Sequence, residues 1–533
     1  MFQHQQPTTD LASTYRELYR ARFRADVQAG TATPFVLPLH LLAYWIVPTL
    51  YLAIPHRNRP WLYHARWLVL AFVCTFNWYI IKRVSSLNFV SSYGAGFLAA
   101  WATIWNFTLL VENDHRLGKP SSASRNACPS KVDVNGPQSQ VSNPFGPGRP
   151  VLELDLNGST SIDKASGPLT NGLEVNVMRK RELHTQQSAA ALESTGCTKG
   201  TGTEQTPLAA LHDDEERSRL GPKADFASDK FDRENEYEYY WQEYPADASF
   251  CTRLGWAFDI VSSFRLTGWN WAPSCLPSYE PPPRVGLYQL PLEYGSHRSR
   301  QGYIIIDLCA TLMTTDPYFV VGPEHNYPLP VHLATLHSVL LSFQRTILAF
   351  VGIIVALQYA WNSGAICLAL CCPPILGFRA HPWHLPSMMG SFTQVMDRGL
   401  SGFWGAWWHQ TFQVGFSAPT KWLLRHGYLP SSHETGDGNW KMIATALGAV
   451  IAFAQSGLIH GAGSFSTVPQ AHYWSPPLFF ALSGLGTILQ STLSSLLRSR
   501  IEKVPRWVRR LGNLVFVILW LWATGWILFK ARA

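Results

Sequence analysis

A bilayer's hydrocarbon core offers no water to an unpaired N–H or C=O, so a chain that crosses it must pair its backbone internally, which about twenty apolar residues do as a helix. This chain of 533 residues carries apolar runs near 35–54, 67–81, 87–111, 302–314, 340–360, 363–378, 441–463, 475–496 and 513–529. Eight or nine spans follow, two of them short. The predicted fold class is all-α, a polytopic integral membrane protein with about 8–9 transmembrane helices. The run at 302–314 contains Asp307 and ends at Asp316-Pro317, which suits a partial or re-entrant segment shielded by protein.

Between these runs the composition changes. From 112 to 235 the chain is rich in Ser, Gly, Pro, Asn and charge, as in SNPFGPGRP and DDEERSRLGPK, and has too few large apolar residues to build a core. This insert is expected to be mostly disordered. Its sequon, Asn157-Gly158-Ser159, matters only if it faces a lumen. The organisation read from the sequence is a basic segment at 1–34, first membrane helices at 35–111, the insert at 112–235 and a second membrane region at 236–530.

Residues 1–30 contain Arg16, Arg20, Arg22 and Arg24 and no apolar h-region, so no cleaved signal peptide is expected and the mature chain should begin near Met1. Leu11, Tyr15, Leu18, Tyr19 and Phe23 recur at near-helical spacing, which fits an interfacial helix or, equally, a solvated basic tail.

Only 15% of residues are charged, against roughly 25% in soluble proteins. The net charge of +8 sits in clusters beside the apolar runs rather than in a nucleic-acid-binding stripe. The strongest cluster, Arg498, Arg500, Lys503, Arg506, Arg509 and Arg510, places the loop before the last span in the cytosol. Counting back two spans puts 379–440 on the same side. The amino-terminal half, with basic residues at both ends of its runs, stays unassigned. Nine cysteines without a CxxC pair or regular framework argue against disulfides and zinc. A Gly-rich phosphate loop, a GxSxG elbow and HExxH are all missing, which removes soluble kinase, hydrolase and metalloprotease readings. His332 and His337, His381 and His384, and His426 and His433 form no i, i+4 pair with a supporting carboxylate.

Two histidines stand out by position. His460 lies inside the apolar segment KMIATALGAVIAFAQSGLIHGAGSF, where an ionisable residue is a functional candidate by default. On a helix, Ala449, Phe453, Ser456, Gly457 and Ser464 share its face, and small residues there leave room for another helix or a substrate. Desolvation favours the uncharged imidazole, which can take a proton as a general base. The same residue could instead pack between helices on a carbonyl. In SGFWGAWWHQTFQVGF a single helix would gather Gly402, Gly405, Ala406, His409, Gln413 and Phe416 on one arc and Trp404, Trp407, Trp408 and Thr411 on the other. Tryptophan favours membrane interfaces, so an interfacial helix with an exposed His409 accounts for that pattern as well.

These segments resemble the wax synthase-like branch of the membrane-bound O-acyltransferases, in particular its fungal members associated with terpenoid and other secondary-metabolite pathways. The resemblance rests, in order, on YYWQEYP (239–245), RLGWAFDIVSSFRLTGWNW (253–271), DPYF (316–319), HPWHLPSMMG (381–390), FWGAWWHQ (403–410) and SGLIHG (456–461), and spans about 236–530. It implies an acyl-transfer tunnel enclosed by the helices, His460 as the catalytic histidine and His409 as the second active-site residue. Trp404, Trp408, Gln413, Ser456 and Gly457 would then contact substrate. The chain departs from the family at Ser401-Gly402, where an Arg-Asp pair is frequent, and at Ala406-Trp407, where basic residues are usual. These changes bear on local salt bridges and donor contacts.

The implied reaction joins an acyl group from acetyl-CoA, or another acyl-CoA, to a hydroxyl of a hydrophobic alcohol, with no bound cofactor and no metal. His460 would take the alcohol's proton and His409 would position the thioester or stabilise its oxyanion. The expected setting is the endoplasmic reticulum membrane, with acyl-CoA, a hydrophobic alcohol and the bilayer as partners and no nucleic acid. The alternatives are a long-chain wax or sterol ester synthase and, more remotely, a proton-coupled transporter, against which the chain shows no inverted repeat.

Overall fold

Apolar runs bounded by Pro, Gly or charged residues become helices in the computed structural model, which describes residues 11–56, 59–112, 177–182, 237–242, 244–267, 269, 289–322, 328–380, 385–429 and 438–529. In chain order the principal helices are α1 (Leu11–Gln28), α2 (Val47–Leu52), α3 (Arg66–Arg83), α4 (Phe89–Phe107), α5 (Phe250–Ser262), α6 (Gln289–Thr315), α7 (Ser338–Cys371), α8 (Thr393–Gly402), α9 (Gln413–Arg425), α10 (Gly438–Phe465), α11 (Ser475–Leu496) and α12 (Arg506–Phe529). The protein is all-α and polytopic. Two-residue strands β1 (Thr33–Pro34) and β2 (Val84–Ser85) pair in parallel, and β3 (Val177–Glu182) pairs antiparallel with β4 (Tyr237–Gln242), from Val177↔Gln242 to Glu182↔Tyr237. Strand β3 lies within the stretch expected to be disordered. The rest of that insert beyond Glu112, with its sequon, lies outside the described residues.

Among the described residues six helical stretches are long and apolar enough to cross a membrane: Pro60–Arg83, Phe89–Glu112, Ser338–Cys371, Met442–Phe465, Ser475–Leu496 and Arg506–Leu528. The difference from eight or nine has local causes. The runs at 340–360 and 363–378 merge, because Asn362-Ser363-Gly364 is absorbed into the single 34-residue helix α7. The run at 35–54 is broken by backbone irregularity, with a 3-10 turn at Leu39–Leu41 and a π turn at Leu42–Ile46 before the six-residue α2. The run at 302–314 belongs to the longer α6, whose sequence also contains Glu293, Arg298, Arg300 and Asp307. At its end Asp316 caps the next turn through the Tyr318 N–H and forms a bidentate ion pair with Arg345 of α7, at 2.6 and 2.7 Å. The DPYF segment therefore fastens α6 to α7, a favourable geometry for a buried carboxylate.

Helix α1 docks on the bundle with Tyr19 and Phe23 buried, and the Tyr19 hydroxyl lies 2.9 Å from Ser92 Oγ on α4. Helices α4 and α10 then approach so closely that a Cβ on Gly96 would lie 2.3 Å from the Ala462 carbonyl oxygen and one on Gly463 would lie 2.9 Å from the Tyr93 ring. Small residues substitute for hydrophobic driving force in this contact, since lipid tails are as apolar as leucine.

The segment 393–425 is too short in either helix to span a membrane, yet it packs into the bundle. Helix α8 is kinked at Gly399 (φ 62°, ψ −134°), a conformation that suits glycine. The kink frees the Leu400 N–H, which donates to Gln490 Oε1 of α11 at 2.8 Å, while Gln490 Nε2 donates to Asn513 of α12 and Asn513 donates to the Met396 carbonyl. The ends of the segment are tied by Arg510 to Asp397 and by Arg425 to Glu112. Gln490→Leu should therefore cost about 1–3 kcal/mol, the usual penalty for orphaning a buried donor. The measurement is the thermal midpoint of the detergent-solubilised protein, and an unchanged midpoint would show that the network is dispensable.

Candidate active site

Helix α10 presents Gly448, Ala452, Ser456 and His460 at four-residue spacing, and all four line one cavity together with Ala449 and Phe453. The side chains shrink from His460 back along this stripe to Gly448, so space is left in front of the imidazole. The predicted face is correct for Ala449, Phe453 and Ser456 but not for Gly457 and Ser464. Gly457 lies against α11, where a Cβ would meet Pro477 Cα at 2.8 Å, and Ser464 is buried outside the cavity lining. A period of 3.6 rotates Gly457 100° from Ser456, enough to turn it from the cavity to the neighbouring helix.

Two phenylalanine rings and a phenol hold His460. Phe480 of α11 stacks on the imidazole with centroids 4.8 Å apart, and Phe97 of α4 meets it edge-on at 4.9 Å. Tyr93, one turn before Phe97, places its hydroxyl 2.6 Å from His460 Nδ1. Nε2 is then the ring nitrogen left for a substrate.

The second histidine reaches the same cavity by a different route from the one expected. The predicted continuous helix through SGFWGAWWHQTFQVGF does not form. After α8 the chain makes a π turn at Phe403–Trp407, closed by the Trp408 N–H on the Phe403 carbonyl at 2.7 Å, and Trp408 is extended (φ −61°, ψ 139°) before α9 begins at Gln413. This break turns Trp404 and Trp408 towards the cavity with His409, Gln413, Gly405 and Phe416. Gly402 and Ala406 are buried elsewhere, and Trp407 packs on Phe392 and Phe403. His409 is thus inside the bundle rather than exposed at an interface. Its Nδ1 is buried with no hydrogen-bond partner among the described residues. Interruptions of this kind inside α-helices recur at functional sites.

Aromatic rings continue the wall. Trp404 meets Phe453, Phe479 and Phe480 at centroid distances of 5.9, 6.2 and 5.7 Å, and Phe412 meets His409 at 5.1 Å, Phe97 at 5.5 Å and Trp101 at 4.5 Å. Small polar side chains, Ser401, Ser417, Thr420 and Thr487, complete the lining. Sequence reasoning missed Tyr93, Phe97 and Phe480. No periodicity within one helix reveals which residues a neighbouring helix will bring to it.

The other conspicuous motifs position this cavity. Arg265 donates to the carbonyls of Pro386 and Ser387, and Arg379 pairs with Asp259 at 2.8 Å and donates to the Thr267 carbonyl. Together they clamp the lead-in to α8. His337 caps α7 and His426 lies tilted against Trp422, whereas His381, His384 and His433 lie outside the described residues. Among the described residues no group of three or more His, Cys, Asp or Glu is placed to hold a metal ion.

Residues 385–482, which contain both histidines, match the profile of the membrane bound O-acyl transferase family. Acetyltransferase ple2 of Rhodocybe pseudopiperita is 23% identical over 302 residues, 56% of this chain and 70% of that protein. O-Mevalon transferase yanI of Aspergillus niger is 24% identical over 226 residues, 40% of this chain and 46% of that protein, less than half its length. No solved structure matches.

The placement of neighbours on α10 gives a direct test. Gly457→Ala should cost about 1–3 kcal/mol, because backbone of α11 must move, while Ser456→Ala, facing open space, should stay within about 0.5 kcal/mol of the parent. Thermal midpoints of the two variants decide it, and the reverse order would place Gly457 on the cavity side.

Proposed function

We propose that the chain is an O-acyltransferase of the membrane-bound type that transfers an acetyl group from acetyl-CoA to a hydroxyl of a hydrophobic metabolite, a terpenoid or meroterpenoid of fungal secondary metabolism, at the endoplasmic reticulum membrane. The observation that carries this reading is the convergence of His460 and His409, 51 positions apart in sequence, on one cavity walled by aromatic rings. A polyisoprenoid alcohol presents mostly C–H surface and one hydroxyl. Rings supply the large apolar contact area for such a body, and the histidines supply the polar end. The acetyl donor is supported by the name of ple2, and the name of yanI shows that a relative in this sequence range is assigned a different transferred group.

In the proposed reaction the acceptor oxygen attacks the thioester carbonyl carbon while its proton passes to His460 Nε2. The tetrahedral intermediate then expels the thiolate as the C–S bond breaks, and the imidazolium returns the proton to sulfur. The products are the acetyl ester and CoA thiol. Proton removal during attack avoids a free alkoxide. His409, at the break between α8 and α9, would hold the thioester and donate to its carbonyl oxygen as charge develops there. Both substrates can occupy the cavity together, so direct transfer needs no acyl-enzyme. The remaining contacts proposed for substrate are Trp404, Trp408, Gln413 and Ser456.

Microsomes bearing the wild-type chain should release CoA thiol from acetyl-CoA with a panel of terpenoid alcohols, with the ester identified by mass spectrometry. His460→Ala should lower that rate about 10²- to 10⁴-fold and His409→Ala about 10²- to 10³-fold, with both variants retained in the membrane. Equal ester from wild type and His460→Ala would remove His460 from the chemistry. A preference for palmitoyl-CoA in parallel reactions would replace the acetyl reading with a long-chain one.

A further inference from the structure

We propose that Tyr93 is a positioning residue for His460, holding its imidazole in the tautomer that leaves Nε2 unprotonated towards the cavity. The inference rests on the acyl-transfer reading of His460 and extends it to a residue on a different helix. A histidine has two ring nitrogens, and the group bonded to one decides which state the other is in. Here Nδ1 is 2.6 Å from the Tyr93 hydroxyl oxygen, while the imidazole also lines the cavity. A phenol oxygen can accept a hydrogen bond as well as donate one. When Nδ1–H donates to Tyr93, Nε2 carries the lone pair and can take the acceptor alcohol's proton. As the imidazole becomes imidazolium in the transition state, Nδ1–H turns into a stronger donor and the bond to the phenol strengthens, so the interaction contributes more there than in the ground state.

The position of Tyr93 is fixed by packing rather than by chance of rotamer. Its ring stacks between Phe89 and Phe97 on the same helix, at centroid distances of 6.3 and 6.1 Å. From the other side Gly463, three residues beyond His460, leaves it room, since a Cβ there would come within 2.9 Å of the ring. The close contact of α4 with α10 at Gly96 holds the two helices at the distance the bond needs. Support of this kind, in which a neutral residue orients a base it does not itself replace, follows the logic of the orienting member of a catalytic triad.

The test is a double-mutant cycle in microsomes of the full chain, with Tyr93→Phe, His460→Ala and the combined variant assayed for acetyl ester. Tyr93→Phe keeps the ring and removes only the oxygen. It should lower kcat about tenfold, the scale of one buried hydrogen bond between neutral groups, and leave KM for both substrates within about twofold. In the His460→Ala background the same change should have no further effect on the residual rate, because the residues act as one unit. A wild-type kcat for Tyr93→Phe, or an equal fall in both backgrounds, overturns the assignment of Tyr93 while leaving the reaction intact. Wild-type turnover by His460→Ala would instead overturn the acyl-transfer role of His460, and the role of Tyr93 with it. Expression and thermal midpoint of Tyr93→Phe should match the parent, and Tyr93→Leu, which also loses the ring, separates packing from the hydroxyl by raising KM.

Discussion

The close passage of α4 across α10 is the contact on which the site depends. Gly96 accepts a backbone carbonyl of α10 where any side chain would collide with it, and Gly463 accepts the Tyr93 ring in return. Only at that separation can the Tyr93 hydroxyl reach His460 Nδ1 and Phe97 cover the imidazole. In hydrocarbon a lone polar group has no solvent to turn to, so one hydrogen bond between helices does more to fix geometry than it would in water. A hydroxyl cluster at the same end, in which Ser85 Oγ donates to Ser92 Oγ and to the Ser466 carbonyl and Ser466 Oγ donates to the Ser92 carbonyl, holds the helices together beyond the site.

The second histidine is positioned by two breaks in the helical backbone whose freed groups are bonded nearby. An unbroken helix from 393 to 425 would carry His409 along a regular face. The kink at Gly399 and the π turn at Phe403–Trp407 instead swing Trp404, Trp408 and His409 round to the cavity. Each break frees backbone groups, and the chain answers one with Gln490 and Asn513 and the other with the Trp408 N–H on the Phe403 carbonyl. Irregular backbone in a helical membrane protein is tolerated where protein surrounds it or it lines a cavity, and this segment does both.

The architecture was legible wherever one helix settled the matter. Apolar length found the spans, and a polar residue in an apolar run found His460. The face of α10 was read correctly at Ala449, Phe453 and Ser456 because helical period alone decides it. Reading failed where two helices must be known at once. Gly457 could have faced either another helix or a substrate, and only the structure shows it seating Pro477, while Tyr93 gives no sign in the sequence of its register against α10. It failed again where a helix departs from its period, as in the FWGAWW segment, and where Asn362-Ser363-Gly364 did not end α7.

The charged residues at the ends of 393–425 complete the account of that segment. The Arg-Asp pair expected by resemblance at 401–402 is replaced by Ser401-Gly402, yet the chain has an acidic residue one turn earlier in α8. Asp397 accepts from Arg510 at 2.7 and 2.8 Å and lies 3.5 Å from Arg506, and the hydrogen bond from Arg510 is the main reason its carboxyl titrates below the usual range. Asp397 is about one-third exposed, so screening keeps the energetic value of the pair small. Its effect is one of placement. Arg510 lies near the start of α12, the helix that also supplies Asn513 to the Gly399 kink, so ion pair and amide network bind α8 to the same helix on successive turns. At the other end Arg425 reaches Glu112, whose side chain is nearly buried, and joins the end of α9 to the end of the α4 span. Since α4 carries Tyr93 and α9 follows directly from His409, that ion pair connects the supports of both histidines. The two halves of the site are therefore registered against each other through their scaffolding as well as through the cavity they share.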